Sequence, residues 1–102
     1  MHPPFSQDLR AAVLFASSTC PNCANFKPAF LAVARTHSQL ATFYALDIDK
    51  DPSGETLANH YHVQGLPTVI FLSQGVAVGR LVGDAGEANF QQRLHALFGG
   101  PQ

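Results

Sequence analysis

The sequence predicts an α/β domain with a mixed four-stranded sheet flanked by helices, built from a βαβ unit followed by a ββα unit. Short apolar runs alternate with segments of helical periodicity, and a turn signal separates the last two runs. A chain of 102 residues with 46% apolar and only 13% charged residues is typical of one globular core. We therefore expect a single domain over residues 1–102, with flexible ends at about 1–5 and 99–102.

The first predicted strand, Ala11–Ala16, leads into a polar segment and then into a helix. This helix extends from Pro21 to about Arg35, because its apolar residues recur at helical spacing and a proline is tolerated in a first turn. Pro28 removes one backbone donor from the interior of the helix, so we expect a kink there. The β-compatible run Ala41–Ile48 is the next predicted strand.

A short helix to about His60 is expected next, because Asp51 and Pro52 are typical of a helix cap and a first turn. Two further strands are predicted at Thr68–Ser73 and Val76–Val82, with a Gln-Gly turn between them. They should form an antiparallel hairpin at one edge of the sheet.

The closing helix is predicted from a cap and a periodic apolar face. Asp84 and Glu87 have capping-box spacing, and Gly99 is a typical C-terminal stop. The apolar face of this helix consists of Phe90, Leu94, Leu97 and Phe98. The phenylalanines that we assign to core packing are Phe26, Phe30, Phe71, Phe90 and Phe98.

Charge and hydropathy exclude several classes of partner. Six basic and seven acidic residues give a net charge of −1, which provides no counterion-release term for binding nucleic acid or an anionic membrane. The apolar run Ala11–Ala16 is too short to span a bilayer, and Met1–Arg10 lacks the basic n-region of a secretory signal. We expect a cytoplasmic protein.

The two cysteines, Cys20 and Cys23, are the candidate catalytic residues. Structural disulfides are uncommon in reducing compartments, so this CxxC spacing indicates redox or metal chemistry. At the mouth of the predicted helix, Cys20 should be favoured as a thiolate. Cys23 follows about one turn later, so its sulfur can return over Cys20. This spacing predicts that Cys20 is the nucleophile and that Cys23 resolves the mixed disulfide.

Metal binding and incidental thiols are the alternative interpretations of this pair. One CxxC motif supplies only two ligands, and no histidine has ligand spacing to it. We interpret the histidines mostly as surface residues: His2, His37, His60, His62 and His95. An iron–sulfur cluster that bridges two subunits remains an alternative. We expect no metal and no bound cofactor other than the Cys20–Cys23 disulfide itself.

From Ala11 to Phe98 these motifs resemble the thioredoxin family. Val13–Cys23 (VLFASSTCPNC) is similar to the active-site strand and loop of that family, and Pro28 matches the proline that kinks its active-site helix. Leu46–Pro52 (LDIDKDP) resembles the passage from strand to helix, and Tyr61–Leu72 (YHVQGLPTVIFL) carries the remaining similarity.

The resemblance implies a substrate-binding groove beside the cysteines. Pro67 matches a cis proline that faces them, the backbone of Leu66 matches one that pairs with a substrate peptide, and Gly83 matches a glycine beside the same groove. We expect a shallow apolar groove formed by Thr19, Cys20, Pro21, Leu66, Pro67 and Gly83.

The chain departs from the family pattern around the motif. Pro21 and Asn22 stand where thioredoxins proper have Gly-Pro, and Thr19 stands where a tryptophan is common. Leu14 and Ala45 align with a buried aspartate and its lysine partner, so the family's proton relay should be absent, and water or a substrate group could serve instead. The extra N-terminal strand and helix of the family also have no counterpart.

The resemblance implies a monomeric thiol–disulfide oxidoreductase that reduces or exchanges disulfides in protein substrates. A thioredoxin-reductase-like protein or a small thiol would supply the electrons. Two alternatives stay open: a thioredoxin-fold binding module without catalysis, and glutaredoxin-like exchange that depends on glutathione.

Overall fold

A mixed four-stranded sheet forms the centre of the structure, a computed structural model that describes residues 4–99. In chain order the elements are β1 (Arg10–Ala16), α1 (Pro21–Thr36), β2 (Thr42–Asp47), α2 (Gly54–His60), β3 (Thr68–Ser73), β4 (Val76–Val82) and α3 (Glu87–Phe98). The strand order is β2-β1-β3-β4, with β1 parallel to β2 and antiparallel to β3, and with β4 antiparallel to β3. The predicted βαβ and ββα units and the mixed sheet are confirmed.

The two central strands, β1 and β3, carry the buried part of the sheet. Residues 11–15 of β1 have no exposed surface, and residues 68–72 of β3 are at most 1% exposed. Strands covered on both faces are expected to contain a continuous apolar run, and Ala11–Ala16 and Val69–Leu72 are such runs. The end of β1 is therefore fixed by neighbours on both sides and on both faces.

Successive side chains of β1 point to opposite faces and so belong to two apolar layers. Ala12 and Leu14 pack with α1 and α3, whereas Val13 and Phe15 pack with α2 and the residues that follow it. All five phenylalanines assigned to core packing belong to the core and are at most 4% exposed. Helix α1 is thereby held on one face of the sheet, with its N-terminus after the end of β1.

The prediction that Asp51 caps the second helix is wrong. Helix α2 begins at Gly54, and its N-cap, Ser53, makes no side-chain capping bond. The Asp51 carboxylate instead accepts a hydrogen bond from the backbone N–H of Asp47 at 2.7 Å. It therefore stabilises the end of β2, and Pro52 lies in the turn before the helix rather than in its first turn.

The predicted capping box of Asp84 and Glu87 is also wrong. The N-cap of α3 is Gly86, with φ 87° and ψ 163°, and Glu87 is the first helical residue. A capping side chain must start from the N-cap residue itself to reach the free N–H groups of the first turn. Asp84 lies two residues too early, and its exposed carboxylate makes no hydrogen bond within residues 4–99.

Helix α1 continues through Pro28 as one helix from Pro21 to Thr36. Residues 4–9, the described segment before β1, contain neither a strand nor a helix. The flexible ends predicted at 1–5 and 99–102 fall largely outside residues 4–99. None of the helices in residues 4–99 has the length and the apolar composition that a membrane span requires.

Two tyrosine hydroxyls attach peripheral segments to the sheet. Tyr44 donates a hydrogen bond to the Asp8 carboxylate at 2.6 Å, and this bond is the main reason that the pKa of Tyr44 is raised. Tyr61 donates to the carbonyl oxygen of Gly75 at 2.9 Å, and burial raises the pKa of Tyr61. The segment before β1 and the turn between β3 and β4 are fixed in this way.

Gly54→Ala should destabilise the protein by about 1–3 kcal/mol, because overpacking against a rigid neighbour has a cost of this size. A methyl group there would lie 2.8 Å from Ile48 Cα and 2.9 Å from the carbonyl oxygen of Asp47. The matched control is Gly65→Ala, whose methyl would lie 3.9 Å from Val82 Cγ1 and should change stability by less than about 0.5 kcal/mol. Urea unfolding measures both, and equal losses for the two variants would contradict this packing.

Candidate active site

The two cysteines form a disulfide at the N-terminus of α1. Their Cα atoms are 5.2 Å apart, and Cys20 is the N-cap residue of the helix, with extended backbone. Its sulfur accepts a hydrogen bond from the backbone N–H of Cys23 at 3.2 Å. Cys20 is partly exposed, whereas Cys23 is only 3% exposed. A partner can reach the sulfur of Cys20 far more easily than that of Cys23.

The helix terminus is positive at this point. The N–H groups of a first helical turn have no partner within the helix and carry the positive end of its dipole. No acidic side chain occurs in the first turn of α1, so no carboxylate neutralises that charge. Negative charge on the sulfur of Cys20 is therefore favoured, as thiolate chemistry requires.

Three chain segments meet at the end of the sheet where α1 begins. Phe15, near the end of β1, is paired with Thr68 at the start of β3. The segment that leads to Cys20 and the segment that contains Pro67 therefore leave the sheet side by side. The N–H of Gly83, which follows β4, donates to the carbonyl oxygen of Pro67 at 2.7 Å. The peptide bond between Leu66 and Pro67 is cis.

The residues predicted to form the groove all lie in these segments, with different exposure. Thr19 and Pro21 are exposed, as is Asn22, the motif residue next to Cys23. Leu66 and Gly83 are half-buried, and Pro67 is buried. The structure brings Cys20 and Cys23 into a covalent bond, brings Pro67 and Gly83 into hydrogen-bond contact, and places both pairs at the same end of the sheet.

Comparison with known proteins agrees with this geometry. The family model of a thioredoxin-like domain matches residues 6–98. The chain belongs to the thioredoxin-like family.

Individual relatives show how far the similarity extends. Thioredoxin H4 of Arabidopsis thaliana is 31% identical over 80 residues, which are 78% of this chain and 64% of that protein. Thioredoxin H3 of the same plant is 33% identical over 73 residues, 72% of this chain and 58% of the relative. The crystal structure of Fasciola hepatica thioredoxin superposes with a TM-score of 0.75 at 26% identity, covering 85% of this chain and 79% of that one. The matches to both plant proteins span less than two thirds of their length.

A hydrogen-bond network that the sequence did not reveal holds the segment before Cys20. Ser17, only 9% exposed, donates from its hydroxyl to the Asp49 carboxylate at 2.5 Å. The hydroxyl oxygens of Ser17 and Thr19 are 3.0 Å apart, and the N–H of Thr19 donates to Ser17 Oγ at 3.3 Å. Ser17 and Asp49 are 32 positions apart, so only the parallel pairing of β1 with β2 brings them together.

The turn after β2 holds Asp49 in place. Asp47 Oδ1 accepts from the backbone N–H groups of Asp49 and Lys50, at 2.8 and 3.1 Å. The N–H of Ile48 donates to the carbonyl oxygen of Ala16 at 2.9 Å. The acidic side chains of this thioredoxin-like protein thus order the loop beside its cysteine pair.

A cleft of about 470 Å³ opens between α1 and the end of β2, next to Cys23. Leu14 and Ala45, the two positions where a proton relay was expected to be absent, both line this cleft. Leu14 is fully buried and apolar, and Ala45 is exposed. The cleft therefore has no ionisable group at either position.

Residues 4–99 contain no group of three or more histidine, cysteine or acidic side chains that could hold a metal ion. The rings of His37 and His95 lie in edge contact, with centroids 5.1 Å apart. His37 follows the C-terminal end of α1, a helix of 16 residues whose N-terminus carries Cys20. The histidine pair and the cysteine pair are therefore about 24 Å apart along the helix.

Asp49→Ala should destabilise the protein by about 1–2 kcal/mol, because a hydrogen bond to a charged acceptor is lost and Ser17 stays largely buried. Asp84→Ala is the matched control at the same end of the sheet and should change stability by less than about 0.5 kcal/mol. Chemical denaturation followed by circular dichroism measures both. A loss for Asp84→Ala as large as for Asp49→Ala would show that the network does not contribute.

Proposed function

We propose that this protein is a thiol–disulfide oxidoreductase that reduces or exchanges disulfides of protein substrates. The observation that carries the proposal is the Cys20–Cys23 disulfide at the uncompensated N-terminus of α1, with one sulfur accessible and the other buried. The relatives named thioredoxin support it, because the family assignment covers the strand, the loop and the helix that position this pair.

In the reductive direction, the Cys20 thiolate attacks one sulfur of a substrate disulfide. The second substrate sulfur leaves as a thiolate, and a mixed disulfide forms between Cys20 and the substrate. The Cys23 thiolate then attacks the sulfur of Cys20 and displaces the remaining substrate sulfur. Two electrons pass to the substrate, the released thiolates take up protons, and the Cys20–Cys23 disulfide is formed.

The substrate would bind at the three segments that meet beside Cys20. Thr19, Pro21, Leu66, Pro67 and Gly83 carry no charge and include both exposed and half-buried surface. In the proposed complex the substrate backbone pairs with the backbone of Leu66, next to Pro67. An uncharged contact of this kind suits exchange with more than one protein partner.

The remaining parts of the proposal concern partners and compartment. The protein needs no cofactor beyond its own disulfide, and a thioredoxin-reductase-like protein or a small thiol returns it to the dithiol. We propose a monomer that works in a reducing compartment such as the cytoplasm, where a CxxC pair serves chemistry rather than stability. The net charge of −1 supports proteins rather than nucleic acid or membranes as partners.

A thioredoxin-fold binding module is the second candidate, favoured by one observation. Leu14 and Ala45 leave the cleft beside Cys23 without an ionisable group at the two relay positions. Such a module would bind partners at the same surface without turning over disulfides. Cysteine substitution distinguishes the two functions.

Cys20→Ser should abolish the acceleration of dithiothreitol-driven insulin reduction, because the nucleophile is lost. Cys23→Ser should retain attack but lose resolution, so that a covalent adduct with the substrate accumulates and is released by reductant. Turbidity measures the first effect and non-reducing electrophoresis the second. The double variant should form no adduct. A Cys23→Ser protein that turns over like the unmodified protein would contradict these roles.

A further inference from the structure

The proposed mechanism requires the buried Cys23 to lose a proton. Only a thiolate attacks a disulfide, and a thiol in the mixed disulfide must therefore be deprotonated first. Cys23 is 3% exposed, and no side chain within residues 4–99 makes a hydrogen bond to its sulfur. The proton acceptor must therefore reach Cys23 from a space next to it.

The cleft between α1 and the end of β2 is such a space. Its walls include Cys23 itself, and its volume of about 470 Å³ is enough for several water molecules. A water molecule occupies roughly 30 Å³ in the liquid and needs polar partners to be held. Ser18, Lys27 and Lys50 line the cleft and carry polar groups, so water can be held next to the thiol.

The carboxylates around the cleft make their hydrogen bonds to the neighbouring loops and not to Cys23. Asp47 accepts two backbone N–H groups of the following turn, and Asp51 accepts the N–H of Asp47. Asp49, just outside the cleft, accepts the hydroxyl of Ser17. None of these three carboxylates makes a hydrogen bond to Cys23, so the proton of the thiol has to leave through water in the cleft.

Two lysines line the same cleft, and neither ammonium group has a hydrogen-bond or ion-pair partner within residues 4–99. Lys27 is four residues after Cys23 in α1, so the two side chains are neighbours on one face of the helix. Lys50 reaches the cleft from the loop on the other side. Of the two, only Lys27 is held next to Cys23 by regular secondary structure.

We propose that this cleft is the route by which the Cys23 thiol passes its proton to water, and that Lys27 stabilises the Cys23 thiolate as it forms. The inference rests on the proposed function and adds to it a positioning residue for the resolving step. The proton leaves Cys23 for water in the cleft, and the thiolate then forms a bond to the sulfur of Cys20. The bond between Cys20 and the substrate sulfur breaks, and the substrate thiolate leaves with the electron pair.

The test follows the resolving step directly. Reduced protein is mixed with Ellman's reagent in a stopped-flow instrument, which reports release of the coloured aryl thiolate. Attack by Cys20 gives the first phase and resolution by Cys23 gives the second. The second phase is measured over a pH range centred on the ordinary thiol pKa of about 8.5.

Lys27→Met should slow the second phase about threefold below the midpoint of its pH profile, the size expected for a solvent-screened charge one helical turn away. The midpoint should move to higher pH, and the difference should shrink above it. Lys27→Arg should restore the unmodified profile. Arg35→Met, which removes an exposed cation from the same helix outside the cleft, should leave the profile unchanged.

The route through the cleft is tested by filling it. Ala45→Met places a longer side chain at the cleft wall on β2 and should slow the second phase but not the first. Thr42→Met, on the same strand and outside the cleft, should change neither phase.

Two results would overturn the proposal. One is that Lys27→Met leaves the pH profile of the second phase unchanged, whether or not Lys50→Met shifts it. The other is a second phase that stays as fast in Ala45→Met as in Thr42→Met. Failure of the proposed function itself would look different, because the unmodified protein would then not accelerate insulin reduction, whatever its phases with Ellman's reagent.

Discussion

The interaction on which the site depends is the capping of α1 by a cysteine. Free N–H groups at a helix N-terminus need acceptors, and here the sulfur of Cys20 accepts the N–H of Cys23. One geometry thus completes the helix, places the two sulfurs within bonding distance and favours negative charge on the outer one. The first turn of α1 carries no acidic side chain that would oppose this.

The rest of the fold holds this helix terminus beside the other two segments of the site, which contain Pro67 and Gly83. The end of β1 is fixed by parallel pairing with β2 and antiparallel pairing with β3. Pairing of β3 with β4 then brings Gly83 to Pro67. Ser17 and Asp49 tie the loop before the cysteines to the loop after β2. The protein thus combines an apolar sheet with polar loops at the end where the cysteines lie.

Periodicity in the sequence was sufficient to predict the helices and strands. The buried residues of β1, of β3 and of one face of α3 are apolar, so their spacing is visible in the sequence. Side-chain hydrogen bonds were not predictable in the same way. Asp51 and Asp84 each have the spacing of a helix cap, yet one binds the backbone of β2 and the other remains exposed. A carboxylate binds whichever N–H the fold brings near, and local spacing does not determine that. The contact between Ser17 and Asp49 depends on strand pairing, so no local pattern could show it.

We propose that the Cys20–Cys23 pair is a redox couple rather than a structural disulfide. These two roles are distinguished by equilibrating the protein in graded dithiothreitol or glutathione buffers, quenching it and counting the alkylated thiols. A redox couple should show a reversible two-electron transition between about −270 and −180 mV, the range from thioredoxin to protein disulfide isomerase. A pair that remains a disulfide below about −300 mV, or that shows no reversible transition, would contradict it.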